Sequence, residues 1–195
     1  MHCFLSLVVV AGLSLPTRAG ASDWPDFRGP TGQGHVTSKV DLPIEWSATK
    51  NVTWKQSIPG KGWSSPVIVA GKIFLTTAVN QRGEISLRAL CLDVKTGKSL
   101  WDREIFRHDD SIPIHVKNSH ASPTPLVSDG RLYVHFGHQG TACLDLEGKI
   151  LWQTRELKYR PVHGNGGTPV IVEDLLIFHC DGASDPFVAA LDRKT

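Results

Sequence analysis

Short apolar runs recur along this chain, and their spacing is its organising feature. The first set reads Val67-Ile68-Val69, Ile73-Phe74-Leu75, Ala89-Leu90-Cys91-Leu92 and Leu100-Trp101. A second set reads Leu126-Val127, Leu132-Tyr133-Val134, Ala142-Cys143-Leu144 and Ile150-Leu151-Trp152. The third reads Val170-Ile171-Val172, Leu175-Leu176-Ile177-Phe178 and Ala189-Ala190-Leu191. Runs of two to four apolar residues between turn signals predict strands packed on both faces. Ala70-Gly71, Asp129-Gly130 and Glu173-Asp174 separate the first two strands of each set, as tight hairpins require. The matching aspartates Asp93, Asp145 and Asp192 stand about fifty residues apart, the period of a four-stranded propeller blade. Each is expected to shape a turn through its own downstream N–H groups. Trp101 and Trp152 close their sets and predict packing between blades.

The expected fold is therefore all-β: a partial propeller of about three four-stranded blades. The blades fall near residues 63–101, 120–152 and 167–195, the last of them incomplete. Asn51-Val52-Thr53-Trp54-Lys55 looks like the end of a repeat without its beginning, and predicts a lone outer strand over 51–55. Residues 22–50 read as an extended N-terminal segment, packed across the propeller edge. Arg103 to Lys117 reads as a polar excursion between blades. Three blades would leave apolar faces and edges open, so the length of 195 residues reads as part of a larger ring.

Composition narrows the function classes. With 41% hydrophobic and 21% charged residues, the chain is neither a disordered tail nor a polytopic membrane protein. A net charge of +2 is too balanced for a nucleic-acid partner. Phe4 to Leu15 is apolar but too short to span a bilayer, and Ala19-Gly20-Ala21 follows it. That order predicts a secretory signal over 1–21, an exported protein of the periplasm or cell surface, and no membrane span after its removal. Cys91, Cys143 and Cys180 then remain, an odd number that supports no disulfide framework. Cys91 and Cys143 share a repeat position with Ala190, which predicts small buried sites.

The motif Ala-Leu-Cys-Leu-Asp with Thr-Gly-Lys-Ser-Leu-Trp, at 89–93 and 96–101, resembles the repeat of pyrroloquinoline-quinone (PQQ)-like propellers. That superfamily includes quinoprotein dehydrogenases and BamB-type assembly lipoproteins. The head, Trp24-Pro25-Asp26-Phe27-Arg28-Gly29-Pro30, resembles the opening of secreted PQQ-like propellers of planctomycete type. The resemblance implies a ring of seven or eight blades. It also implies a channel mouth formed by the loops before each innermost strand and between the second and third strands. Those loops are 60–64, 118–121, 163–167, 77–88, 135–139 and 179–185. Lys61, Trp63, His120, His163 and Asn165 are the channel-mouth candidates for binding a cofactor. His120, His135, His138, His163 and His179 are candidate metal ligands, since imidazoles gathered at a pore could hold a transition metal. No catalytic residue is assigned.

Three functions follow from the resemblance. The first is a non-catalytic exported propeller that binds or scaffolds a protein or small-molecule ligand at the channel face. A second is the N-terminal part of a PQQ-dependent dehydrogenase, with PQQ and Ca²⁺ held only if further blades supply the ligands. The third is a metal- or carbohydrate-binding propeller using the histidine-rich rim.

Overall fold

The computed structural model describes residues 23–36, 43–109 and 113–195. The expected export signal, residues 1–21, lies outside them. Eleven strands form three antiparallel sheets among the described residues, each a simple meander. The first holds β1 (Val67–Val69), β2 (Lys72–Gln81), β3 (Glu84–Asp93) and β4 (Ser99–Asp109). A second holds β5 (Leu126–Ser128), β6 (Arg131–His135), β7 (Thr141–Asp145) and β8 (Ile150–Thr154). The last holds β9 (Val170–Val172), β10 (Leu175–Cys180) and β11 (Phe187–Asp192). This is a partial propeller of two four-stranded blades and one three-stranded blade.

Alternation along each strand makes both faces of the middle blade apolar. Leu132, Val134, Ala142 and Leu144 point to the first blade and join Phe74, Leu87, Ala89 and Cys91 in one core. Tyr133 and Cys143 point the other way and join Leu176, Phe178 and Cys180 in a second. Strands of different blades come nearest at β1 and β5, so the first strand of each blade lies toward the common axis.

A repeated contact ties each blade to the next. Trp101 Nε1 donates to Leu146 O at 3.0 Å, and Trp152 Nε1 donates to Arg193 O at 3.2 Å. Both carbonyls follow the turn aspartate of the next blade. Trp54 makes the equivalent bond to Val94 O at 3.0 Å in the first blade. The indole lies flat on the glycine of that turn: a Cβ at Gly148 would sit 2.8 Å from the Trp101 ring, and one at Gly97 would sit 2.3 Å from Trp54. The aspartates hold these turns as expected. Asp93 Oδ1 accepts from Thr96 N at 2.8 Å, Asp145 Oδ1 from Lys149 N at 2.8 Å and Asp192 Oδ1 from Lys194 N at 2.7 Å. Nearer the axis, Ser65 N donates to Thr124 Oγ1 at 3.0 Å, and Thr124 N donates to Thr168 Oγ1 at 3.1 Å. Each of these three residues precedes a proline that opens the innermost strand.

Four expectations change. Residues 51–55 form no strand; Trp54 keeps its place on the turn of the first blade, but its neighbours have no ladder to join. Residues 77–88 are not a loop. A two-residue turn, Arg82-Gly83, lets β2 and β3 run ten residues each. That extension gives residues 103–109 a partner, so they continue β4 as far as Asp109, opposite Glu84. Arg107 sits between Glu84 at 2.9 Å and Glu104 at 2.5 Å on this arm. Finally, the head does not cross the propeller edge. Trp24 pairs with Ile68 of β1 (N to O 2.6 Å, O to N 2.8 Å), and Pro25 O accepts from Val127 N of β5 at 2.8 Å. It then turns back on itself, Gly34 N donating to Arg28 O at 2.9 Å. Residues 23–34 therefore occupy the axial side of the blades.

Trp101→Ala should cost the full-length protein about 2–4 kcal/mol through lost packing and a stranded carbonyl. Trp101→Phe should cost about 1 kcal/mol, since it keeps the ring but loses the donor. Chemical denaturation measures both; equal stability of wild type and Trp101→Ala would refute inter-blade docking.

Candidate functional site

The loops before the innermost strands do come together. Lys61 pairs with Ala78 near the far end of β2, N to O at 2.9 Å in both directions. Trp63 N and Ser64 N both donate to Ala121 O in the loop of the second blade, at 3.0 and 3.3 Å. Asn118 Nδ2 donates to His163 O at 2.8 Å in the loop of the third. Backbone and amide groups thus knit the three loops into one rim.

The side chains on that rim divide into two groups. Asn165 is 6% exposed and its amide is fully used. Its Nδ2 faces Phe136 O at 3.3 Å and His138 Nδ1 at 3.1 Å, and its Oδ1 accepts from Tyr159 OH at 2.8 Å. His120 is buried against Gln139, with Nδ1 2.9 Å from Gln139 Nε2, and its ring meets His108 edge-on at 5.1 Å. Lys61 and Trp63 instead face solvent, Trp63 with 62% of its surface exposed. No side-chain partner holds either one among the described residues. His163 is exposed and meets His115 edge-on at 5.2 Å.

The five candidate metal ligands do not all gather in one place: His135 and His179 border a common cleft, while His120 meets Gln139 and His163 meets His115. His135 ends β6, buried, with Nδ1 2.9 Å from Thr141 Oγ1 and its ring 4.1 Å from Phe178. Burial pushes its pKa down to about 3, with His179 and His138 adding to the effect. His138 lies in the 3-10 turn Gly137–Gln139, pushed down by burial and opposed by its bond to Asn165. His179 lies on β10 with Nε2 3.1 Å from Asp181 Oδ2. Strand alternation and the blade interfaces send these rings to different partners. No three His, Cys, Asp or Glu side chains gather in a metal-binding arrangement among the described residues. The histidine-rich rim expected from the sequence is thus a set of separate contacts. His135, Tyr159, Asn165, His179 and Asp181 do border one small cleft of about 190 Å³.

Calcium takes about six to eight oxygen ligands. Here the Asn165 amide oxygen is taken by Tyr159, and Asp181 is paired with His179. The three thiols lie buried on β3, β7 and β10. Burial pushes Cys91 up to about 11 and raises Cys143 and Cys180. Among the described residues, the Asn165 and Asp181 oxygens of this cleft already have protein partners.

His135 carries a pH prediction. Its folded pKa lies below the ordinary imidazole value, so the unfolded chain binds the extra proton. Stability is full above about pH 6.5 and falls as pH drops toward 3, with a slope of up to about 1.4 kcal/mol per unit. Between about pH 6.5 and 5, where carboxylates stay ionised, His135→Gln should flatten that slope in denaturation curves. An unchanged slope contradicts the assignment.

Comparison with known proteins agrees with the repeat. A family model described as "Outer membrane protein assembly factor BamB" matches residues 88–195. No curated protein sequence matches the chain. A europium-containing methanol dehydrogenase aligns at 17% identity and TM-score 0.49, over 67% of this chain and 22% of that one. The quinohemoprotein alcohol dehydrogenase from Comamonas testosteroni aligns at 16% and 0.48, over 70% and 20%. BamB from Moraxella catarrhalis aligns at 14% and 0.36, over 70% and 45%. The chain thus spans about a fifth of the dehydrogenases' length and under half of that BamB. Its fifty-residue repeat, its meander blades and the match over residues 88–195 place the chain in the BamB-type family of PQQ-like propeller proteins.

Proposed function

We propose that this chain is an exported, non-catalytic propeller module that binds a protein partner at its rim. The observation that carries the reading is the division of the rim side chains. Asn165, His120 and His135 are spent on contacts that hold the rim together, while Trp63 and Lys61 project from it. A large exposed aromatic beside a cation on a rigid scaffold is the composition of a binding hot spot. The family description names an assembly factor, which fits a binding role. No helix among the described residues is long and apolar enough to cross a membrane. The apolar segment Phe4 to Leu15 supports export.

A photo-crosslinking residue placed at position 63 of the full-length protein should yield discrete protein adducts in the cell envelope. The same residue at Lys95, in the turn of the first blade, should yield none. Adducts no stronger at 63 than at 95 would sink the reading. So would alcohol-dependent dye reduction by the purified protein with added PQQ and Ca²⁺.

A further inference from the structure

The three innermost strands are equivalent, but their axial edges are not equally used. Ile68, Val127 and Ile171 occupy the same position, the middle of β1, β5 and β9. Ile68 N donates to Trp24 O, and Val127 N donates to Pro25 O. Ile171 faces Leu176 across the β9–β10 hairpin in the register that Ile68 has with Ile73. Next to a two-residue hairpin, that pair is the one that exchanges no ladder bonds. The Ile171 N–H therefore points to the axis, and it has no acceptor among the described residues.

Beside it lies a cavity of about 540 Å³, walled by the head on one side and by β5 and β9 on the other. That volume is ordinary for a ligand site, typically about 300–1,000 Å³. Arg28 lines it, and its guanidinium has no side-chain partner among the described residues. Asp26 is the one acidic side chain on the wall, and its Oδ1 is occupied by the Arg28 N–H at 2.9 Å. Phe27, Val170 and Ile171 supply apolar walls. A strand edge, a free cation and an apolar trough meet in one place.

We propose that this cavity binds the C-terminal end of an extended peptide. The peptide backbone continues along β9 as the head does along β1, its carbonyl accepting from Ile171 N. Its terminal carboxylate meets Arg28, a charge-assisted pairing. The site is independent of the Trp63 rim, so either can fail without the other.

The test uses full-length protein and two N-terminally fluorescein-labelled peptides of sequence Ala-Val-Ile-Val, one a free acid and one a C-terminal amide. Fluorescence polarisation should show the acid binding about ten- to hundredfold more tightly, the range of a charge-assisted hydrogen bond. Arg28→Ala should reduce the acid to the affinity of the amide, with the melting temperature unchanged. By amide exchange, Ile171 N–H should exchange faster than those of Ile68 and Val127 in the free protein, and slow on adding the acid. Equal binding of the two peptides, no binding of either, or an Ile171 amide as protected as Ile68 before peptide is added would each overturn the proposal.

Discussion

The structure depends on one contact repeated along the chain, an indole laid across the turn of the next blade with its N–H on that turn's carbonyl. The contact fixes three separate sequence features at once. A tryptophan must stand near the start of the outermost strand, where its ring reaches the turn of the neighbour. A glycine must sit in the receiving turn, since any Cβ would enter the ring plane at Gly97 or Gly148. An aspartate must open the same turn, because its carboxylate gathers the N–H groups that leave the carbonyl free to accept. Apolar burial holds the blade faces together without direction. The indole bond adds the direction, and so sets the register of one blade on the next.

Two further belts run at other radii. The hydroxyl chain from Ser65 through Thr124 to Thr168 joins the blades near the axis. Asn165, Asn118 and the Trp63–Ala121 bonds join them at the rim. Most polar groups on the rim are therefore structural. This explains how a mouth rich in histidine presents few free imidazoles: a polar group in a blade interface must be paired, or its burial is costly. The axis differs from the rim. There, among the described residues, the head bonds β1 and β5 but not β9, and Arg28 lines the cavity beside that strand.

Much of this was legible in the sequence. The period, the hairpin dipeptides and the closing tryptophans predicted the blades, and the aspartates were correctly read as turn formers. Burial of the Cys91 and Cys143 thiols followed from their shared repeat position, whereas Ala190 at the same position of the third blade is exposed. The errors have physical causes. Arg82-Gly83 is a two-residue hairpin signal, and the polar residues 80–84 around it masked strands whose flanking Ala78, Ile85 and Leu87 are buried in the core. The head lacks any periodicity, so its strand-like pairing at Trp24 could be found only from its partner, Ile68. The histidines sit at the right heights for a rim, but sequence does not say which neighbour each ring meets. Asn165 was picked out for its loop; that its amide would be saturated by Tyr159 and His138 had no sequence signal.

Exchange of the indole N–H protons, followed by NMR on the full-length protein, tests the central claim most directly. The account predicts slow exchange at Trp54, Trp101 and Trp152, whose N–H groups rest on carbonyls of the receiving turns, and fast exchange at the solvent-exposed Trp63. If those three indoles exchange as fast as Trp63, the blades are not held by indole docking.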